Sequence, residues 1–288
     1  MIIPAAIVDA FTSTAGQGNR AGVVTRAEGL DEAAMRSAAR AVAASETAFL
    51  FPGPRLRFFT PADEIPFCGH ATVATIHYLA ETGAIPVPGR MEVQCGTGPL
   101  RIEIDAQRTV WIDSGTVEWT EVNKRVEVSV MELLGAPESV REPSLPVLKS
   151  RGKLFIPMTR RRDLWDVNPK WSAIEGLHRE LGIMGLYAFT LDVVEAGSVS
   201  HGRFFAPAVG IREDPVTGSA SVPLAHYLAR FGILKLPEKG GTVRARAEQG
   251  DAMGKPGRVE LEVTGAPGKI ENIRIGGRAV TVIEGTLR

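Results

Sequence analysis

The sequence has few cysteines, no long apolar run and no net charge, and each absence excludes a class of protein. Cys68 and Cys95 are its only cysteines, too few for a disulfide framework or a multi-cysteine zinc site. No apolar run approaches the roughly 20 residues that a membrane-spanning helix needs. The 33 basic residues balance the 33 acidic residues, so no strong field attracts nucleic acid or an anionic membrane.

The first residues, Met1–Asp9, lack the basic segment of a secretory signal peptide and carry an aspartate early. We therefore expect a cytoplasmic protein with neither a nucleic-acid nor a membrane partner. Its 288 residues suffice for two domains with cores of ordinary size.

An internal repeat is the main positive feature of the sequence. Segment 67–79 returns as segment 214–228, and both copies contain a glycine followed by a largely apolar stretch that ends in His-Tyr-Leu. Upstream, Arg57–Ala62 returns as Arg203–Ala208. A long repeat that is used only twice predicts two related halves rather than a solenoid.

In each copy the glycine is expected to open an amphipathic helix, at Gly69 in the first half and at Gly218 in the second. The first turn of a helix leaves backbone N–H groups unpaired, and such groups bind anions. We expect the two helix starts to face each other across a cleft between the halves.

Short apolar runs on both sides of each helix predict strands. The predicted fold is α/β (α+β), with two pseudo-symmetric domains that each wrap a mostly antiparallel sheet around a central helix. Residues 1–116 with 277–288 are expected to form the first domain, and residues 117–276 the second. The last predicted strand, Ala279–Ile283, is expected to cross back to the first half.

Three local patterns refine this prediction. Asp31 is predicted to cap an alanine-rich helix, and Asn168 is predicted to cap another, with Pro169 at its first position. The segment Gly16–Ala21 is similar to a dinucleotide-binding fingerprint. That fingerprint requires a helix after it, whereas a strand is predicted here, so we reject nucleotide binding.

Three segments resemble the signature segments of the PhzF (phenazine biosynthesis) family, which shares the diaminopimelate epimerase fold. They are Ser45–Thr47, Pro66–His70 and Glu213–Ala220, in the order and spacing of the family, and the likeness covers essentially the whole chain. The resemblance implies an active site between two domains, usually a homodimer, and proton-transfer chemistry that needs no cofactor and no metal.

The resemblance also implies residue roles. Glu46 would be the general acid/base, and Asp214, His70 and Ser219 would surround the substrate. Further substrate-binding positions are expected in the first loop and at the two helix starts: Asn19, Gly69, Ala71, Thr217, Gly218 and Ala220.

The sequence departs from the family pattern at two places. Asn19 is followed by Arg20, where the family often has proline, and this places an extra cation near the expected site. Cys68 before Gly69 is similar to the first catalytic cysteine of diaminopimelate epimerase, but Thr217 stands at the matching place in the second half. A racemase that uses two cysteines is therefore excluded.

The chemistry of Glu46 can also be argued from its position. A glutamate is usually a solvated surface residue, yet Glu46 heads an apolar strand. Burial there would raise its pKa towards neutral pH, which suits a base that must return the proton it removes.

The other candidates each have a structural alternative. His70 lies at a positive helix end, which predicts a neutral imidazole that donates to a substrate oxygen. Asp214 precedes a helix start and either caps it or is catalytic, by orienting a substrate amine or by sharing the proton relay. Ser219 lacks the Gly-x-Ser-x-Gly motif of a hydrolase nucleophile and is expected to cap its helix and bind an anion. Cys68 is a small core residue or a thiol of lowered pKa.

Two further histidines, His77 and His226, hold equivalent positions inside the two helices, and packing explains such a duplicated residue better than ligand binding.

Taken with the resemblance, the sequence predicts a cofactor-independent isomerase that acts on a small carboxylate-bearing substrate. An amino-acid epimerase with Glu46 opposed by Asp214 or Cys68 remains an alternative, as does a non-catalytic metabolite-binding protein.

Overall fold

The computed structural model describes residues 2–287 and divides the chain into two compact units. The first unit runs through Ser114 and resumes at Arg274, and the second spans Gly115–Ile273. The fold is mixed α+β, with mostly antiparallel strands and few helices. Within residues 2–287 there is no helix long and apolar enough to cross a membrane.

The first unit begins with eight strands and two helices. The helices are α1 (Glu32–Val42) and α2 (Gly69–Glu81). The strands are β1 (Ile3–Ala10), β2 (Asn19–Val24), β3 (Glu46–Phe51), β4 (Arg55–Phe59), β5 (Glu64–Ile65), β6 (Gly89–Cys95), β7 (Gly98–Ile104) and β8 (Val110–Gly115).

Helix α1 follows the sequence prediction. The side chain of Asp31 accepts a hydrogen bond of 2.8 Å from the backbone N–H of Ala34, which makes it the N-cap. Met35 and Val42 lie on the buried face of the helix, which covers the parallel pair β2 and β3. Strand β2 begins directly after Gly18. A strand, and not the helix of a dinucleotide-binding fingerprint, therefore follows the glycine-rich segment, as predicted.

Helix α2 is the core of the first unit. Nearly all of its side chains are buried, and it packs against β1, β2 and β3. Its N-cap, Cys68, makes no side-chain capping bond. Instead, the carbonyl oxygen of Cys68 accepts from both the N–H and the hydroxyl of Thr72, at 3.0 and 2.8 Å. Hydrogen bonds from Thr72, rather than a capping side chain, therefore fix the first turn of α2.

The second unit holds four α-helices and the next eight strands, and the strand after these begins in the second unit and ends in the first. The helices are α3 (Lys124–Leu133), α4 (Arg161–Trp165), α5 (Trp171–Leu181) and α6 (Gly218–Arg230). The strands are β9 (Thr120–Glu121), β10 (Leu148–Ser150), β11 (Lys153–Met158), β12 (Gly185–Thr190), β13 (Ser198–Ala206), β14 (Ile211–Asp214), β15 (Gly241–Gln249), β16 (Gly257–Ala266) and β17 (Lys269–Gly277).

The second unit repeats the strand order of the first around its own buried helix. Strands β2 and β3 are parallel and β3 pairs antiparallel with β4, while β11 and β12 are parallel and β12 pairs antiparallel with β13. Helix α6 packs against β16 and, like α2, is largely buried. The repeat in the sequence is therefore a repeat in topology.

One predicted helix start is wrong. Helix α5 is capped by Lys170 rather than Asn168, and Pro169 lies before the helix instead of at its first position. The backbone N–H groups of Asn168 and Lys170 donate to the carbonyl oxygens of Leu134 and Leu133. These two bonds fix the segment to the end of α3, so the helix begins two residues later than the proline suggests.

The last strand, β18 (Ala279–Leu287), belongs to the first unit. It pairs antiparallel with β1, from Ile3 opposite Leu287 to Ala10 opposite Ala279. The expectation that this strand crosses back to the first half is confirmed. Strand β1 thereby lies between β2 and β18.

Candidate active site

Glu46 is the first residue of β3 and lies opposite Ala21 of β2. Only 7% of the residue is exposed, and a carboxylate is rarely buried to this extent without a partner. The partner is His70, whose Nε2 lies 3.2 Å from Glu46 Oε2. No group among residues 2–287 donates a hydrogen bond of good geometry to this oxygen. Oε2 of Glu46 can therefore accept a hydrogen bond or a proton from a ligand.

His70 is the second residue of α2, so the helix start places it beside the head of β3. Cys68 Sγ lies 3.4 Å from Nδ1 and 3.9 Å from Nε2 of the imidazole. Ser45 Oγ lies 3.4 Å from Nε2, and Asn19 Nδ2 lies 3.4 Å from Nδ1. The imidazole is thus surrounded by four polar side chains from three different elements or their flanks.

The pKa shifts of Glu46 and His70 are opposite to those expected from the sequence. Burial raises the pKa of Glu46, but His70 and Ser45 outweigh it, so the pKa lies below its ordinary value. Burial lowers the pKa of His70, but Cys68 and Glu46 raise it well above its ordinary value. A raised Glu46 pKa and a neutral His70 are therefore wrong predictions, because direct contact outweighs both desolvation and the helix dipole.

Cys68 is buried, and its burial raises the pKa of the thiol despite the neighbouring His70. The lowered pKa considered for a cysteine at a helix start is therefore wrong. We call this group of side chains (Asn19, Ser45, Glu46, Cys68 and His70) the Glu46 cluster.

The positive charge of Arg20 is paired with Asp9, so it is less available to a ligand than the sequence suggests. Its guanidinium donates to both oxygens of the buried Asp9, at 2.8 and 3.0 Å, and this pairing raises the pKa of Arg20. Asp9 also accepts from the N–H of Gly16 at 2.7 Å. Gly18 has φ of +65°, and a Cβ there would lie 2.2 Å from the carbonyl oxygen of Ala10. The two glycines thus serve a tight turn that presents Asn19.

In the second unit, Asp214 and Thr217 organise the start of α6. Thr217 is the N-cap, and its hydroxyl donates to Asp214 Oδ2 at 2.5 Å. Gln249, which was not predicted, accepts from the N–H of Thr217 at 3.1 Å and donates to the carbonyl oxygen of Asp214 at 2.7 Å. The only signal for Gln249 in the sequence was its place at the end of the first strand that follows the repeated helix.

The prediction that Ser219 caps this helix is wrong, because Ser219 is its second residue and Thr217 occupies the N-cap. Gly218 and Ala220 are buried in the first turn of α6, as Gly69 and Ala71 are in the first turn of α2. The predicted site residues therefore form two groups, one in each unit.

Lys153 is a second residue that the sequence did not single out. It begins β11, is 4% exposed, and donates a long hydrogen bond of 3.4 Å to the carbonyl oxygen of Arg151. Burial, reinforced by Arg151, lowers its pKa to about 8, while Asp214 opposes the shift. A lysine at the head of a strand is normally solvated, so only the fold reveals this ammonium group near Asp214.

The two units differ at the position of Glu46. Phe59 of the first unit and Phe205 of the second are equivalent in the repeat. Thr47 lies opposite Phe59 and Leu186 lies opposite Phe205, so Thr47 corresponds to Leu186. Glu46 therefore corresponds to Gly185. A Cβ at Gly185 would lie 2.2 Å from the Phe204 ring, so no side chain fits there without rearrangement. Only the first unit carries a carboxylate at the head of this strand.

His77 and His226 serve the structure in different ways. His77 is buried and lies 3.6 Å from Glu81, one turn further along α2. His226 accepts a hydrogen bond of 3.0 Å from the indole N–H of Trp119 through Nδ1. Burial lowers the pKa of both imidazoles. These contacts support the expectation that the duplicated histidines pack inside their units.

Comparison with known proteins gives a consistent result. A sequence model of phenazine biosynthesis-like proteins (PhzC-PhzF) matches residues 8–285. An "Uncharacterized isomerase" of Deinococcus radiodurans is 37% identical, over 96% of this chain and 92% of its own length. The crystal structure of a PhzF-family protein from Bacillus anthracis has a TM-score of 0.89 at 26% identity, and the match covers 100% of this chain and 99% of that one.

A more distant structure shows the fold alone. A hydroxyproline epimerase from Agrobacterium vitis has a TM-score of 0.62 at 12% identity, and the match covers 99% of this chain and 92% of that one. The likeness indicates that the paired α+β units also occur among epimerases.

Proposed function

This chain belongs to the phenazine biosynthesis-like family and is an isomerase, and on that premise we propose that it moves a proton within a small carboxylate-bearing substrate. Glu46 is the general acid/base of the proposed reaction. It removes a proton from a carbon that a neighbouring carbonyl or double bond has made acidic, and it returns the proton elsewhere on the same molecule. The reaction needs no cofactor.

The pairing of Glu46 with His70 is the observation that carries this proposal. The low pKa of Glu46 keeps it ionised near neutral pH, so it is ready to accept a proton. The high pKa of His70 keeps a proton at Nε2, 3.2 Å from the carboxylate. The imidazolium can donate to a substrate oxygen while negative charge develops on it. A positioned acid/base of this kind contributes typically about 10²–10⁴-fold to the rate.

The unequal halves favour a single base. Gly185 stands where the second unit would need a carboxylate equivalent to Glu46, and Thr217 stands at the place of Cys68. A mechanism with one base on each half of the repeat therefore lacks its second member. A single carboxylate that both removes and returns the proton fits the side chains that are present.

For the second unit we propose substrate binding rather than proton transfer. Asp214 and the first turn of α6, Thr217–Ala220, offer a carboxylate, hydroxyl groups and helix N–H groups. Lys153 adds a buried ammonium group, and the charge of Asp214 stabilises its protonated form. These groups suit a substrate that carries both an anionic and a polar substituent.

An amino-acid epimerase is the second candidate, because Cys68 offers another proton carrier 3.4 Å from His70. Epimerisation inverts one stereocentre, whereas the proposed reaction changes the position of a hydrogen and a double bond. Chiral chromatography of the product distinguishes the two reactions.

The test is a screen of small carboxylates in D₂O. Wild-type protein is incubated with a metabolite pool, and chromatography with mass spectrometry identifies compounds that form an isomer and the fraction of that isomer that gains deuterium. Glu46→Gln should lose this conversion by about 10²-fold or more, since the amide cannot accept the proton. Glu28→Gln is the matched control, because Glu28 is an exposed glutamate of the same unit.

The outcomes separate the candidates. Conversion by the wild type and Glu28→Gln but not by Glu46→Gln supports the proposal. Equal conversion by Glu46→Gln contradicts it, and ligand binding without any exchange would support a non-catalytic metabolite-binding protein instead. We also propose a cytoplasmic homodimer on the family resemblance, which size-exclusion chromatography with light scattering tests for the oligomer.

A further inference from the structure

The geometry of the Glu46 cluster points to a binding site for Zn²⁺, and we propose that this ion inhibits the enzyme by occupying its base. The inhibitory effect rests on the proposed function, whereas the binding itself does not. Glu46, Cys68 and His70 each offer one ligand atom, and the three atoms lie within 4.8 Å of one another.

The distances between the ligand atoms approach those of a tetrahedral zinc site. Bond lengths of about 2.0–2.1 Å to nitrogen or oxygen and about 2.3 Å to sulfur place neighbouring ligands roughly 3.4–3.6 Å apart. His70 Nε2 lies 3.2 Å from Glu46 Oε2 and 3.9 Å from Cys68 Sγ. These two separations lie on either side of the tetrahedral spacing.

A second observation points to a cation independently of these distances. Glu46 is 7% exposed, and its Oε2 accepts no hydrogen bond of good geometry within residues 2–287. A buried carboxylate oxygen with an unused lone pair is costly unless a ligand occupies it. Because His70 Nε2 lies 3.2 Å from this oxygen, Zn²⁺ would replace the imidazolium proton between them and bind both atoms.

The surroundings also resemble those of metal-binding histidines. An imidazole that binds metal through one nitrogen usually has a polar partner at the other. Asn19, whose side-chain amide nitrogen lies 3.4 Å from Nδ1 of His70, supplies this partner when the amide turns to present its oxygen to Nδ1–H. The side chains of Asn19, Cys68 and His70 are all buried, so the site is held by the fold rather than by mobile surface residues.

The donor set selects the metal. One thiolate, one imidazole and one carboxylate suit Zn²⁺, whereas Mg²⁺ and Ca²⁺ prefer sites made of oxygen alone. Three protein ligands leave a fourth position for water or a substrate carboxylate. Zn²⁺ bound to Glu46 occupies the lone pair that accepts the substrate proton, so binding and proton transfer exclude each other.

The binding experiment uses the full chain after treatment with a chelator. Zn²⁺ affinity is measured by competition with a chromophoric chelator, and Co²⁺ is added separately to detect thiolate-to-cobalt charge-transfer absorption. We expect one equivalent of Zn²⁺ per chain, thiolate absorption with Co²⁺, and no competition from Mg²⁺. Cys68→Ser and His70→Asn should each weaken Zn²⁺ binding at least about tenfold.

Cys95→Ser is the matched control, because Cys95 is the other free cysteine of the chain and is only half-buried. It should leave the affinity for Zn²⁺ and the Co²⁺ spectrum unchanged. Unchanged affinity in Cys68→Ser would overturn the inference, and so would a wild-type Co²⁺ spectrum without thiolate absorption. The second result requires no variant, so it decides the question even if a substitution prevents folding.

A separate arm tests inhibition with the substrate found in the D₂O screen. Saturating Zn²⁺ should reduce conversion at least about tenfold, and a chelator should restore it. Zn²⁺ binding together with conversion that does not depend on Glu46 would contradict the proposed function alone. Glu46-dependent conversion without Zn²⁺ binding would contradict this inference alone.

Discussion

At the scale of single residues, the contact between Glu46 and His70 determines the protonation states of the site. Glu46 and His70 were both predicted as site residues through the resemblance of their segments to the PhzF family, and their places at the head of an apolar strand and at the start of a repeated helix supported that prediction. The directions of their pKa shifts were predicted wrongly. Each residue alone would respond to burial or to the helix dipole, but the 3.2 Å contact reverses both shifts, and a sequence gives no such distance.

The pair makes stability depend on pH in a defined way. The pKa of His70 is raised on folding, so its contribution is fully present below the unfolded pKa of about 6.5 and is lost as pH rises through the folded pKa. The pKa of Glu46 is lowered on folding, so its contribution is present above about 4.5 and is lost as pH falls through the folded pKa. Both contributions are therefore complete between about pH 4.5 and 6.5.

We predict that His70→Asn lowers the free energy of unfolding most within this window. The difference from the wild type should shrink as pH rises from 6.5 towards 9, because the unfolded wild-type histidine no longer binds a proton there. Urea unfolding at a series of pH values measures both free energies. A difference that grows with rising pH would contradict the assigned shift of His70.

At the scale of secondary-structure elements, the internal repeat predicted most of the fold. Apolar runs beside the repeated helices predicted the strands around α2 and α6. Asp31 predicted the start of α1, and the division into two halves predicted the return of β18. Helix α3 lies in a segment without a repeat partner, so the comparison of halves offered no guide to it. The start of α5 was misplaced because contacts with the end of α3, distant in sequence, override the local preference of Asn168 and Pro169.

The asymmetry between the halves gives a prediction for Gly185. Gly185→Ala should lower the free energy of unfolding by about 1–3 kcal/mol, because its Cβ would overlap the ring of the buried Phe204. Gly176→Ala is the control, since a Cβ at this position of α5 meets open space. Alanine should stabilise that helix by up to about 1 kcal/mol. Urea unfolding compares the variants, and equal free energies at both positions would refute the overlap.

At the scale of the whole molecule, the first and the last strand, β1 and β18, pair in the first unit. They pair along the length of both strands, so the unit that contains Glu46 and His70 depends on residues far apart in sequence. The second unit is continuous in sequence and does not include β18. The two units are therefore expected to respond differently to loss of the C-terminal strand.

We predict that deletion of the chain from Ala279 onward selectively destabilises the first unit. The deletion exposes the edge of β1, leaving backbone groups unpaired and α2 partly uncovered. Hydrogen exchange followed by mass spectrometry should show lost protection in β1–β3 and α2 and retained protection across residues 115–273. Full protection of the first unit in the shortened chain would contradict this dependence.

The central claim is that one carboxylate, Glu46, both removes and returns the proton. It is tested most directly with a substrate that carries deuterium at the carbon that loses the proton, converted in H₂O during a single turnover. Because Glu46 is 7% exposed, exchange with bulk water is restricted, and mass spectrometry should find part of the label at the new carbon of the product. Product formed at the wild-type rate without any transferred label would contradict the account.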